Sequence, residues 1–97
     1  MPKFALCGRL KPKAGKEAEL EAFLKQGAVM AKDEPATIHW YAIREDDGAY
    51  GIFDTFDDEA GREAHLNGEI AKALMAHAGD LLSEPPHISK IAILAQK

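Results

Sequence analysis

Residues 37–56 read TIHWYAIREDDGAYGIFDTF. Thr37 to Arg44 is rich in β-branched and aromatic residues, the composition of a strand. Glu45-Asp46-Asp47-Gly48 follows, and Asp-Gly is a strong signal for a tight hairpin turn. Ala49 to Phe56 is then the antiparallel return strand. Both strands are apolar on both sides: Ile38, Trp40 and Ala42 point one way and Tyr41 and Ile43 the other, while Ala49, Gly51 and Phe53 oppose Tyr50, Ile52 and Phe56. An antiparallel sheet with one wet face alternates apolar with polar residues. This hairpin does not.

Working outward, Lys3 to Lys11 (KFALCGRLK) alternates Phe4, Leu6 and Leu10 against Arg9 and Lys11, a period of two that predicts a strand broken by Pro12 and Gly15. Leu20, Phe23, Leu24, Gly27, Ala28 and Ala31 then recur at helical spacing, predicting an amphipathic helix from Lys16 to Lys32 that Pro35 stops. Beyond the hairpin, Asp57 is the expected N-cap, with Asp58 and Glu59 favourable in a first turn where the helix dipole is positive. The helical pattern continues to Leu81, with a break expected at Asn67-Gly68, where positive φ is cheap. Pro85-Pro86 closes it, and His87 to Ala95 is the last strand. The order strand–helix–strand–strand–helix–strand predicts a single α+β domain over residues 1–97. It is a ferredoxin-like four-stranded antiparallel sheet with both helices on one face.

Helices on one face leave the other uncovered. In the last strand, too, Ile91 and Ile93 oppose Ile88, Ala92 and Leu94. An exposed patch of that extent exceeds the few hundred Å² usual for monomers. The simplest cover is a second copy packed sheet against sheet about a twofold axis, so a homodimer is expected.

The 97 residues suffice for one small core, and 46% hydrophobic with 29% charged residues suits a globular chain. No apolar run approaches the roughly 20 residues that span a bilayer, so no membrane partner is expected. No apolar leader opens the chain, so no signal peptide is read. A single cysteine, Cys7, forms no internal disulfide and no cysteine cage, which points to the cytoplasm. The net charge of −4 argues against nucleic acid. It is distributed as +4 over residues 1–32, −9 over 33–69 and +1 over 70–97.

No dinucleotide fingerprint, P-loop or nucleophile elbow is present, so the chain offers no cofactor or metal signature. What remains is histidine. His65 falls mid-helix with Gly61 at i−4 and Gly68 at i+3, and Glu69 at i+4 is within reach as an acceptor. Two helical glycines cost about 1 kcal/mol each relative to alanine. Such a cost suits a close-packed neighbour or an open cavity beside His65. An exposed histidine paired with Glu69, with Gly68 as a helix stop, accounts for the same residues, and the sequence leaves both open. His39 and Tyr41 share one face of their strand. His39, alone there, reads as a structural group, and Trp40 and Phe53 as core or dimer-face aromatics. His77 lies beyond the break, and Cys7 reads as a small core residue.

The order of elements and residues 54–66 resemble the antibiotic biosynthesis monooxygenase family, built on the dimeric α+β barrel. Its pattern is an acidic residue, a spacer, an aromatic, then a histidine nine residues on followed by a hydrophobic. Here these are Asp54, Thr55, Phe56, His65 and Leu66, with Asp54 and Phe56 where the family more often has Glu and Trp. Tyr41 matches a common tyrosine of the second strand. Members include quinol oxidases, anthrone-type oxygenases and haem-degrading enzymes. The haem degraders' asparagine, tryptophan and histidine fall on Gly8, His65 and Met75, so haem degradation is disfavoured. The resemblance therefore implies an oxygenase that uses no metal or flavin, acting on a small aromatic ligand, with His65 as proton relay and Glu69 orienting it. Tyr41, Phe53, His39 and Gly61 are the candidate substrate contacts, Tyr41 and Phe53 as walls if their face lines the helix–sheet cavity. A second histidine often present in the family is here Ile70, and that departure favours the alternative of a non-catalytic binding or sensing dimer.

Overall fold

A computed structural model describes every residue from Met1 to Lys97. The elements are β1 (Phe4–Leu10), α1 (Glu17–Ala31), β2 (Thr37–Arg44), β3 (Tyr50–Phe56), α2 (Glu59–Leu66), α3 (Glu69–Leu81) and β4 (His87–Ala92). The strands form one antiparallel sheet in the order β2-β3-β1-β4. This is the α+β, ferredoxin-like layer pair that the element order predicts. The 45–49 turn closes as expected: Gly48 takes φ +90°, and Asp47 Oδ1 accepts from the Ala49 N–H at 3.0 Å.

Three local expectations are corrected. The N-cap of α2 is Asp58, whose side chain accepts from the Gly61 N–H at 2.8 Å, rather than Asp57. The break after Leu66 is real, giving two helices, but it needs no positive φ: Gly68 is extended (φ −89°, ψ −175°) and caps α3. β4 ends at Ala92 rather than Ala95 because its partner strand begins at Phe4, opposite Ala92.

The core lies between sheet and helices. Leu10, Tyr50 and Ile52 from the sheet meet Leu20 and Leu24 of α1, Leu74 and Leu81 of α3, and Leu82. Trp40 enters the same layer from β2. It lies so close to α1 that a Cβ on Gly27 would fall 3.0 Å from its ring, so only glycine leaves room there without displacing the indole. α2 is pinned to the sheet by Arg62, which donates to the carbonyls of Ala5 (3.4 Å) and Ile91 (3.3 Å) and lies over the Phe4 ring.

Alternation then places the other residues on the uncovered face. Cross-strand register aligns Tyr41, Phe53, Cys7 and Ser89 in one row, His39, Thr55, Ala5 and Ile91 in the next, and Ile43, Gly51, Arg9 and His87 in a third. Tyr41 is 53% exposed there, stacked on His39. Cys7 is a free, half-buried thiol in the central row.

Candidate functional site

β3 presents Tyr50, Ile52, Asp54 and Phe56 to the helix layer, and Asp54 is only 1% exposed. A carboxylate placed in an otherwise apolar row needs a partner, because burying an unpaired charge is prohibitive. The partner is His65 of α2, itself 8% exposed, whose Nε2 lies 2.9 Å from Asp54 Oδ2. Its other nitrogen, Nδ1, lies 2.6 Å from Glu34 Oε1, on the segment joining α1 to β2. The Phe56 ring packs against the imidazole at 5.4 Å. Thr37 Oγ1 donates to Glu34 Oε1 at 2.9 Å and holds that carboxylate in place.

A carboxylate oxygen at each ring nitrogen favours the doubly protonated ring, in which both nitrogens donate. Burial pushes its pKa down, but hydrogen bonds to Asp54 and Glu34, reinforced by their charges, outweigh this and raise it above the ordinary histidine value. Gly61 makes room for the segment that carries Glu34, since a Cβ there would sit 3.3 Å from Ala36 Cβ. At Gly68 the tight contacts of an added Cβ would be the Ala64 and His65 carbonyls at 3.2 and 3.3 Å, with Glu34 Oε2 at an ordinary 3.4 Å. One of the two glycines therefore serves a close-packed neighbour and the other the turn between the helices.

His65 separates two spaces. On one side lies a cavity of about 50 Å³ between helices and sheet, bordered by Asp54 and His65 and otherwise by Leu6, Gly8, Ile52, Leu66, Ile70, Ala71, Leu74 and Ile88. Asp54 lines this cavity, and its Oδ1 is buried with no hydrogen-bond partner in the protein. On the other side is a groove of about 400 Å³ whose rim includes Asp33, Glu34, Gly68 and Glu69. A further groove of about 240 Å³ between α1 and the hairpin carries no free polar group of this kind: Tyr50 Oη donates to Glu21 Oε2 at 2.5 Å, and Arg44 pairs with the same oxygen at 3.2 Å. No group of three or more His, Cys, Asp or Glu side chains is arranged to hold a metal ion.

The expected site residues are dispersed. His65 is central. Glu69 lines the groove but does not accept from His65; its side chain is 79% exposed and pairs with Lys72 at 3.5 Å. The ring nitrogens are already taken by Glu34 and Asp54, so the orienting contact expected of Glu69 is corrected to them. Tyr41, Phe53 and His39 lie on the uncovered sheet face, opposite His65, because Trp40 takes the inward position of β2 and parity sends its neighbours out. Tyr41 and Phe53 therefore do not wall the helix–sheet cavity. His39 is held by Thr55, Nδ1 to Oγ1 at 3.0 Å, consistent with a structural group. Gly61 packs under Ala36 at the edge of the outer groove. Glu34 was invisible to spacing, since 31 residues separate it from His65. Asp54 had a signal in its place on the inward face of an apolar strand.

No family model matches the chain, and no curated protein matches it. Among solved structures, a protein of unknown function from Nitrosomonas europaea is 50% identical over 100% of this chain and 94% of its own, with a TM-score of 0.95. The chain belongs to the family of that Nitrosomonas protein. A protein from Mycobacterium tuberculosis superposes with a TM-score of 0.86 at 19% identity, covering 96% of each chain. A Caulobacter crescentus protein with the provisional name antibiotic biosynthesis monooxygenase superposes at 0.81 with 21% identity over 97% of this chain and 92% of its own. Similarly named proteins from Bacteroides and Deinococcus share the fold. The fold is that of the antibiotic biosynthesis monooxygenases, as the resemblance in residues 54–66 leads one to expect.

Proposed function

We propose that this protein is a cofactor-independent monooxygenase acting on a small phenol- or quinol-type molecule with O2, with His65 as the centre of a proton relay. The observation that carries this reading is the unpartnered Asp54 Oδ1, a buried acceptor at an apolar cavity whose sister oxygen is held by His65. A ligand hydroxyl in the cavity would satisfy such an orphan acceptor. Asp54 takes the hydroxyl proton, and the imidazolium behind it offsets the charge that develops on the substrate oxygen. As Asp54 becomes neutral, His65 can release a proton from Nδ1 to Glu34. The electron-rich anion passes one electron to O2, and the radical pair combines. For a hydroquinone, one oxygen atom enters the ring, the other leaves as water, and the product is a hydroxyquinone.

The cavity sets a condition. Its 50 Å³ compares with about 150 Å³ in a cavity that accommodates benzene, so an aromatic ring enters only if the wall yields. Leu66, Ile70 and Ala71, which line the cavity, flank the break between α2 and α3. The small volume is also the observation that favours the second reading, a non-catalytic small-molecule-binding or sensing protein. Oxygen uptake with hydroquinones and anthrones separates the two. Loss of about a hundredfold in Asp54→Asn and His65→Ala is expected for the oxygenase. Uptake equal to that of the wild type in both variants would remove these residues from the mechanism, and binding of a phenol without uptake would establish the second reading.

We also propose that the uncovered sheet face, with Tyr41, Ile43, Phe53 and Ile91, is covered by a second copy in a homodimer. A cytoplasmic location fits the free thiol of Cys7. No helix is long and apolar enough to cross a membrane.

A further inference from the structure

We infer that Glu34 is a positioning residue that keeps His65 charged and gives its Nδ1 proton a way out to solvent. This rests on the relay proposed above and adds its outward end. Three observations converge on Glu34. Its Oε1 makes the short contact, 2.6 Å, with Nδ1. Its side chain is 20% exposed on the 400 Å³ groove, whereas Asp54 on the far side of the ring is sealed from water. Gly61 clears the helix surface where its segment lies, and Thr37 fixes it from β2. A glutamate that merely filled space would not need the hydroxyl donor.

The groups that face the imidazole are few. Glu34 comes from the 33–36 segment and Asp54 from β3, with Asp33 and Glu69 on the rim of the groove. Arg62, one turn back on α2, spends its guanidinium on the Ala5 and Ile91 carbonyls and the Phe4 ring. Proton balance follows from this arrangement. When Asp54 gains a proton from the cavity, His65 loses one from Nδ1 to Glu34, and Glu34 passes it to water in the groove. The three side chains keep their summed charge, and the return of the Asp54 proton to reduced oxygen reverses the sequence.

The test is nuclear magnetic resonance of the His65 ring in the full chain. In the wild type, the His65 midpoint is expected above the ordinary histidine value of about 6.5. A midpoint at or below that value overturns the proposal without any variant being made. In Glu34→Gln, which keeps an acceptor but no charge, the His65 midpoint is expected to fall by about one unit or more. Exchange of its Nδ1 proton with water is expected to slow by on the order of tenfold. Glu34→Asp, which retains the carboxylate, is expected to recover most of both. An unchanged midpoint in Glu34→Gln, or an equal loss in both variants, overturns the role of Glu34. These signals are read whether or not any substrate consumes oxygen. A failed uptake assay therefore strikes the proposed function alone, and an unmoved midpoint strikes the outward end alone.

Discussion

His65 owes its charge to where two carboxylates are placed, and that has a consequence for stability. Its folded pKa is raised, so the folded protein holds the proton to higher pH than the unfolded chain does. The stabilisation is fully present below about pH 6.5, the ordinary histidine value, and is lost as pH rises through the folded midpoint. The melting temperature is therefore expected to fall across that interval in the wild type. His65→Gln, which cannot titrate, is expected to remove that fall. A wild-type melting temperature that stays flat or rises through the interval would show that burial, not the carboxylates, governs the ring. This chemistry is half legible in the sequence. Asp54 announces itself as the one charged residue sharing a strand face with Tyr50, Ile52 and Phe56. Glu34 does not, because nothing local distinguishes a glutamate before Pro35 that will meet a histidine from one that ends a helix in water.

At the level of elements, α2 is short, eight residues, and its hold on His65 depends on how it starts. Helices of this length are marginal alone and rely on caps and tertiary contacts. Asp58→Ala is expected to cost about 1 kcal/mol in urea denaturation, because it frees the Gly61 N–H, whereas Asp57→Ala is expected to be close to neutral. Equal effects of the two would refute the assignment of the cap. Composition located the start of this helix to within one residue. Two adjacent aspartates are equivalent in propensity, and only the path of the chain out of β3 decides which side chain turns back. The same holds for the 67–68 break, where Asn-Gly correctly signals an interruption but the backbone extends at Gly68 instead of turning left-handed.

For the molecule as a whole, the sheet has one face under helices and one without cover. The central row of that face, Tyr41, Phe53 and Cys7, is framed by Ile43 and Ile91. If a second copy covers it, sedimentation at micromolar concentration is expected to give twice the 10.6 kDa chain mass. Tyr41→Asp combined with Ile43→Lys, which sets charges into that face, is expected to yield the single-chain mass with the fold retained. A wild type that sediments as one well-folded copy would refute the twofold assembly. Because His65 lies on the other side of the sheet, the doubly substituted protein should keep its His65 titration, which separates assembly from the site.

By itself the sequence determined the element order, the hairpin at Asp47-Gly48, the helix break and the two-sided apolar sheet. All of these rest on periodicity and turn chemistry, which act over a few residues. Only the tertiary structure decided which face of β2 turns inward, and so set Tyr41, Phe53 and His39 apart from His65. It alone joined Glu34, Asp54 and His65 into one cluster, buried at Asp54 and His65 and half-buried at Glu34. Strand parity reveals that a strand has two sides but not which one the helices will choose. That choice goes with the packing of Trp40 against Gly27 and the pairing of buried Asp54 with His65, and both are properties of the assembled layers rather than of any segment.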